Sequence, residues 1–279
     1  MSELPEVETL VRELRPQLVR RSLTTVRLHH RDVVRGVSAT HLLRVLEGNR
    51  VRAVQRRAKH VVITLTSGDR LVIQLRMTGS LLVHGRALDA ERRRHVVLEA
   101  AIGRGRWFVV RDVRRLGTLQ LLDEQAWAAY TARIGPEPLD AGFDLNAFVQ
   151  CMSGTRQAVK KALMDQRRLG GVGNIYANEA LFRARIDPSR PADRIDRRAW
   201  RRLFREVRAV LREGISAGGT TVRDYRTSTG ATGSYQHVLR VYGRPGAPCV
   251  RCRTALVTTH AIDGRATTFC WRCQGVDVR

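Results

Sequence analysis

The chain has 279 residues, 43% of them apolar, enough for one large core or two smaller ones, and its length favours about two domains. Its 50 basic side chains face only 26 acidic ones, a formal charge of +24, and the natural partner of such a surface is a polyanion. No run approaches the roughly 18 apolar residues of a membrane span, and no basic, apolar leader opens the chain. These features argue against membrane insertion or export and for a cytoplasmic protein that stays with nucleic acid.

A solvated arginine-rich surface is the plain alternative for the charge taken alone. Against the arginine background stand only three lysines, Lys59, Lys160 and Lys161. Arginine holds its proton, whereas a lysine can take part in proton transfer or covalent chemistry, so each of the three is a candidate for that role.

In chain order, Pro5 to Val19 places Leu10, Val11, Leu14 and Leu18 on one helical face, with Pro5 suited to the first turn, so a helix starts almost at the N-terminus. From Thr24 to Leu122 the pattern shortens to strand-like runs: Val61 to Leu65, Leu71 to Leu75, Val96 to Glu99, Trp107 to Val110 and Leu119 to Leu122. Joined by glycine and polar turns, they predict a β-sandwich or barrel. Gly135 to Gly142 breaks both periodicities and marks a linker. Beyond it, Asp144 to Met164, Ile175 to Arg183 and Arg197 to Glu213 read as helices, and from Gly243 onward no long apolar face remains. The expected organisation is α+β and multidomain: 1–134, a linker at 135–142, a helical domain at 143–242, and a small cysteine-rich element at 243–279.

Cys249-x2-Cys252, 17 intervening residues, and Cys270-x2-Cys273 offer four thiolates with the spacing of a tetrahedral zinc site. So short an excursion needs a cross-link to fold, and one structural Zn2+ supplies it. Two disulfides would conflict with a cytoplasmic location. Cys151, alone in a helical pattern, reads as a packed core residue. Gly170-Gly171-Val172-Gly173-Asn174 leads into a helix, an arrangement able to aim backbone N–H groups at a phosphate, although such turns also serve tight packing. With Arg156, Lys160, Lys161, Arg167 and Arg168 nearby, contact with a nucleic-acid backbone is the favoured reading.

Several segments now join up. Met1-Ser2-Glu3-Leu4-Pro5-Glu6-Val7-Glu8-Thr9 resembles the N-terminal signature of the formamidopyrimidine-DNA glycosylase and endonuclease VIII family. Gln55 to Lys59, Met77 to Leu81, Asp112 to Gly117, Gly135 to Leu139 and Val172 to Tyr176 follow in the family's order, and the cysteines complete it. The resemblance spans essentially the whole chain and is nearest to the formamidopyrimidine-DNA glycosylase branch.

It implies an N-terminal β-sandwich, a helix-two-turn-helix domain and a C-terminal zinc-finger hairpin that bind damaged double-stranded DNA as a monomer. The implied activity is bifunctional: excision of oxidised purines such as 8-oxoguanine and formamidopyrimidines, and cleavage at the abasic site through a Schiff base and β/δ-elimination. Removal of Met1 exposes the residue-2 amine, whose reference pKa near 8 leaves a neutral, nucleophilic fraction at cellular pH. This chain carries Ser2 where the family typically has proline; its primary amine can still form an imine. The resemblance implies Glu3 as general acid/base, Glu6 as a support, Lys59 as proton donor in β-elimination, and Arg265 as a phosphate clamp. Asn174 and Arg156 match backbone-binding positions, and Arg93 stands where the family usually has histidine. Met77, Arg114 and Leu116 match the residues that fill the gap left by a flipped base, with leucine in place of phenylalanine. Thr227 to Gln236 corresponds in length to a loop that covers oxidised purines. Two alternatives stay open at this point: an endonuclease VIII-like preference for oxidised pyrimidines, and a non-catalytic lesion-binding homologue suggested by Ser2 and Leu116.

Overall fold

The computed structural model describes residues 2–85, 93–220 and 233–275. By spatial contact the chain divides into two units: Met1–Ala132 with Ala217–Ser234, and Arg133–Ser216 with Tyr235–Arg279.

In the first unit the periodic segment forms helix α1 (Leu4–Leu18), with Leu4, Val7, Leu10, Val11, Leu14 and Leu18 all buried. The valine- and leucine-rich runs form β1 (Thr24–Leu28), β2 (Val34–Arg35), β3 (Val51–Arg57), β4 (His60–Leu65), β5 (Arg70–Gln74), β6 (Gly79–His84), β7 (Val96–Ala101), β8 (Trp107–Asp112) and β9 (Thr118–Leu122). They build a four-stranded sheet in the order β1-β7-β8-β6 and a five-stranded sheet in the order β2-β9-β5-β4-β3. Pairing is antiparallel except between β2 and β9. One core holds residues of both sheets together with α1, among them Ile63, Ile73, Leu81, Val97, Phe108 and Leu119, which is the β-sandwich that alternation and run length predict. Every residue of β4 is buried, so this strand is covered on both faces.

Two further helices appear, one inside the segment that reads as strands and one just beyond it, where no element is expected. In α2 (Ala39–Leu46) the Ser38 hydroxyl caps the His41 amide at 3.1 Å, and Leu42 and Leu46 are buried. In α3 (Glu124–Thr131) Asp123 caps the Ala126 amide at 2.8 Å, but no residue is fully buried. Helices this short announce themselves by their caps more than by their period.

The second unit contains α4 (Leu145–Ser153), α5 (Val159–Met164), α6 (Asn174–Ala184), α7 (Arg197–Ser216), the hairpin β10 (Val257–Thr259) and β11 (Thr267–Phe269), and the single turn α8 (Trp271–Gln274). The stretch Asp144–Met164, read as one helix, is two: Gly154 ends α4, the Thr155 amide turns back to Ser153, and the Thr155 hydroxyl accepts from the Gln157 amide at 3.2 Å. Phe143, Phe148, Trp200 and Phe204 pack as edge-to-face and tilted rings between the 143–148 segment and α7. Cys151, predicted to be core, is half-buried.

Lys160 corrects the sequence reading outright. Grouped there with the basic residues facing nucleic acid, it is fully buried, and its Nζ donates to Asp263 at 3.2 Å and to the Thr267 hydroxyl at 2.7 Å. Its neighbour Lys161 is exposed. The two lie about 100° apart around the helix, so one can face outward while the other is buried, and the buried one is matched by an acidic partner from the finger hairpin.

Gly214 on α7 faces the ring of Tyr176, whose atoms would lie 2.5–2.8 Å from an added Cβ. Tyr176 is itself fully buried and stacked on Tyr235 at 5.4 Å, so it has no room to retreat. Gly214→Ala is therefore expected to destabilise the protein by about 1–3 kcal/mol through overpacking, despite the roughly 1 kcal/mol gain in helix propensity. Denaturant unfolding of the variant measures which effect wins.

Candidate active site and nucleic-acid interface

Chain ends usually fray, but here the first residues are fixed. The Ser2 nitrogen donates to the Arg76 carbonyl at 2.6 Å, and Ser2 and Glu3 are 7% and 1% exposed. Glu3 caps α1 in a reciprocal box with Glu6, in which the Glu3 amide donates to Glu6 Oε2 at 2.9 Å. The other oxygen of Glu6 accepts from the Thr220 amide at 2.8 Å. Glu6 thus holds two backbone segments of the unit together, the support foreseen for it, and Thr220 was missed because nothing local marks it.

The Ser2 acceptor lies in a tight turn. Arg76 has φ +52°, and the Gly79 amide closes the turn on Leu75 at 3.1 Å. A Cβ at Gly79 would come within 2.5 Å of the Leu75 carbonyl oxygen, so glycine is required. The turn faces Arg76 O toward Ser2 and leaves Met77 43% exposed.

Lys59 occupies the two-residue tip of the β3–β4 hairpin, where Arg57 pairs with His60 and Ala58 takes φ +51°; it is 9% exposed. Arg56 ties this tip to α1: its Nη1 donates to the Ala58 carbonyl at 3.1 Å and its Nε to Glu8 at 3.0 Å. Burial alone would raise the Glu8 carboxyl, but the guanidiniums of Arg12 and Arg56 outweigh it and hold the group below its usual value. In the sequence Arg56 is one residue of the Gln55–Lys59 motif; its role is visible only once β3 lies against α1.

The three gap-filling candidates come from two loops that one carboxylate joins. Asp112, 3% exposed, accepts from the Thr78 hydroxyl at 2.5 Å and from the Arg114 amide at 3.3 Å through Oδ1, and from the Gly117 amide at 2.7 Å through Oδ2. The turn bearing Met77 and the loop bearing Arg114 and Leu116 are thereby fixed to each other, and all three side chains are exposed. Val113, 53% exposed, adds a further apolar residue to that loop. A lone aspartate ending the apolar strand β8 was the available sign of this hub. Arg93 is exposed. Most of the loop expected at 227–236 lies outside the described residues.

In the second unit, Asn174 opens α6, and its amide donates to the Ala266 carbonyl of the finger hairpin at 3.0 Å. Two amides of the glycine turn are occupied internally, Gly170 with Pro136 O and Gly171 with Gln166 Oε1, both at 2.9 Å; they hold the turn and do not point at a ligand. Arg156 is 96% exposed and 3.8 Å from Asp193. Arg265 is exposed on a turn whose amide donates to Asp263 at 3.0 Å, and it lines an open recess of about 280 Å³ with Gln157, Lys161, Met164, Asp165 and Asp263. Asp263 therefore receives both Lys160 and the Arg265 backbone, which joins α5 to the fingertip. Glu179, fully buried, accepts from the amides of Arg240, Val241 and Tyr242 at 2.9–3.0 Å and anchors the strand of chain that leads into the finger.

Cys249, Cys252, Cys270 and Cys273 bring their sulfurs within 4.8 Å of one another, a cluster that can hold a metal ion. The Arg251 and Cys273 amides donate to the sulfurs of Cys249 and Cys270 at 3.4 Å each, as suits thiolate ligands. Thr254 brings the Cys252 thiol down to about 6, while burial pushes Cys273 up to about 12. Four thiols this close give up their protons together only when a cation shares the charge, so the donor set fits a tetrahedral metal.

The formamidopyrimidine-DNA glycosylase N-terminal domain matches residues 1–119, and its H2TH domain matches residues 134–226. A formamidopyrimidine-DNA glycosylase of Desulfitobacterium hafniense is 37% identical over 276 residues, covering 98% of this chain and 100% of that protein. One from Thermomicrobium roseum is 40% identical over 287 residues, covering 98% and 99%. Among solved structures, MutM (Fpg) of Thermus thermophilus superposes with a TM-score of 0.86 at 37% identity, covering 98% of each chain. A Lactococcus lactis Fpg mutant in complex with DNA containing Fapy-dG superposes with a TM-score of 0.90 at 30% identity, covering 98% of this chain and 99% of that one.

Asp112→Asn would turn an amide donor toward one of the hydrogen-bond donors that Asp112 now accepts from. The expected cost is about 1–3 kcal/mol, read by denaturant unfolding, with faster proteolysis between residues 113 and 116.

Proposed function

The chain belongs to the formamidopyrimidine-DNA glycosylase family, and from that membership we propose that it excises oxidised purines, 8-oxoguanine and formamidopyrimidines, from damaged duplex DNA and cleaves the strand at the abasic site. It acts as a cytoplasmic monomer. The observation that carries this mechanism is the buried residue-2 nitrogen at the head of α1, 2.6 Å from the Arg76 carbonyl and beside the buried Glu3 carboxylate.

After removal of Met1, the neutral Ser2 amine forms a bond to the sugar C1′ as the bond to the damaged base breaks, and the base leaves with the electron pair and takes a proton from water. The Glu3 carboxylate takes one proton from the new ammonium and returns it to the ring oxygen as the sugar opens, which leaves a protonated imine. Loss of a C2′ proton then expels the 3′ phosphate, a second elimination expels the 5′ phosphate, and hydrolysis of the imine frees the enzyme. Lys59, held on a hairpin anchored to α1, donates a proton to the departing phosphate. Arg265 clamps the phosphate as a fixed charge, since a guanidinium does not titrate in this range. Met77, Arg114 and Leu116 fill the gap left by the flipped nucleotide, their loops set by Asp112. Arg93, Arg156 and Asn174 contact the backbone on either side. Cys249, Cys252, Cys270 and Cys273 would hold one Zn2+, which supplies a structural cross-link to the finger and takes no part in bond breaking.

Borohydride reduction on duplexes carrying 8-oxoguanine opposite cytosine, or an abasic site, with mass spectrometry of the adduct, tests the nucleophile and the substrate together. The expected result is a cross-link at the residue-2 amine with strand cleavage on both duplexes. A cross-link at Lys59 moves the nucleophile. Binding without cross-link or cleavage, from protein shown to lack Met1, sinks the lyase assignment. For the finger, elemental analysis is expected to find about one zinc per chain, in keeping with four thiolate ligands, and chelation under mild denaturation is expected to abolish lesion binding. Full lesion affinity in metal-free protein would overturn the structural role of zinc.

A further inference from the structure

Helix α7 carries more positive charge than its fold requires. At about 100° per residue, Arg197, Arg201, Arg205, Arg208 and Arg212 fall within an arc of about 80°. The opposite face, with Trp200, Leu203, Val207, Val210 and Leu211, is buried. Arg197, Arg201, Arg205 and Arg212 are exposed and Arg208 is half-buried. The helix's two acidic residues lie off this arc: Glu213 is taken up by Arg183 at 2.6 Å, and Glu206 meets Arg205 at 3.0 Å. Arg197 meets a neutral group, the Asn146 side chain at 2.6 Å, and Arg208 meets the carbonyls of Asp140 and Phe143 at 3.3 and 3.0 Å. Among the described residues, Arg201 and Arg212 have no acidic partner.

Taken alone, the helix is harmed by this arrangement. The pairs 197/201, 201/205 and 208/212 set like charges one turn apart, and two arginines in the first turn oppose the helix dipole. A bias toward arginine explains why these cations are not lysines. It does not explain why five of them share one arc from which acidic residues are missing.

We propose that the arginine stripe of α7 is a second DNA-docking surface, distinct from the residues assigned to the lesion, that takes the phosphate backbone of duplex DNA without regard to base sequence. The choice of DNA among polyanions rests on the function proposed above. The stripe runs about 22 Å at 1.5 Å per residue, a length over which each strand of a duplex presents about six phosphates. An anionic membrane fits less well: the apolar face of α7 is already buried, and none of its large apolar residues is exposed for insertion.

The test compares the full-length, zinc-loaded protein with an Arg201→Gln/Arg205→Gln/Arg212→Gln variant, using anisotropy on an undamaged duplex across a salt series. The slope of log K against log salt is expected to fall by about 2 to 3, at about 0.9 for each phosphate that the variant no longer neutralises. Single-turnover excision on a lesion duplex, with enzyme in excess, should stay within about twofold. The corresponding triple Arg→Lys variant should keep the slope, and unchanged melting shows that the fold is intact. An unchanged slope overturns the proposal, as does a parallel loss of excision, which would place the stripe in the lesion site. Loss of binding to phosphatidylserine vesicles with an unchanged duplex slope would also overturn it and point to a membrane. Because binding is read on undamaged DNA, failure of the wild type to excise would count against the proposed function without touching this result.

Discussion

The first amides of a helix have no partners within it, and at the head of α1 other groups must take them up. In this protein the problem is solved by carboxylates. Glu3 and Glu6 cap each other's backbone, and Glu6 uses its remaining oxygen on Thr220; hydrogen bonds of this charged type contribute about 1.5–3 kcal/mol each. Behind the cap, Leu4, Val7, Leu10, Leu14 and Leu18 are fully buried, so the helix is held along its length as well as at its head. The position of the residue-2 nitrogen follows from this, and so does that of the Lys59 hairpin, which Arg56 fastens to the same helix through Glu8.

The same device recurs. Asp112 joins two loops, Glu179 gathers three successive amides, and Asp263 receives a lysine together with a backbone amide. These acidic groups face inward, toward backbone donors. Of the chain's 26 acidic residues, those committed in this way do little to offset positive charge at the surface.

Local pattern made the sandwich, α1, α6, α7 and the cysteine quartet legible, because each depends on a repeat or a spacing that survives in one dimension. The residues that support the site were not legible for the converse reason. Thr78 and Asp112 are 34 positions apart and Lys160 and Asp263 are 103 apart, so only tertiary packing brings them together. Lys160 looked like part of a basic cluster because neighbours in sequence were treated as neighbours in space, and a helix separates them. The break at Gly154 and the short helices α2 and α3 depend on individual caps, which weigh little against a longer period. The arginine stripe was present in the sequence all along, but it emerges only when α7 is turned to show which of its faces is covered.

The near absence of lysine reaches beyond catalysis. Of the three, Lys160 is sealed inside the second unit and Lys59 is 9% exposed, which leaves Lys161 as the one open side-chain amine among the described residues. To an acylating reagent this heavily cationic protein is almost inert, since guanidinium does not react under conditions that modify amines. Amine-directed dyes, biotin or resin would therefore attach at Lys161, while Ser2, 7% exposed, is as shielded as Lys59, so a label placed by amine chemistry would fall beside the recess that Lys161 lines with Arg265.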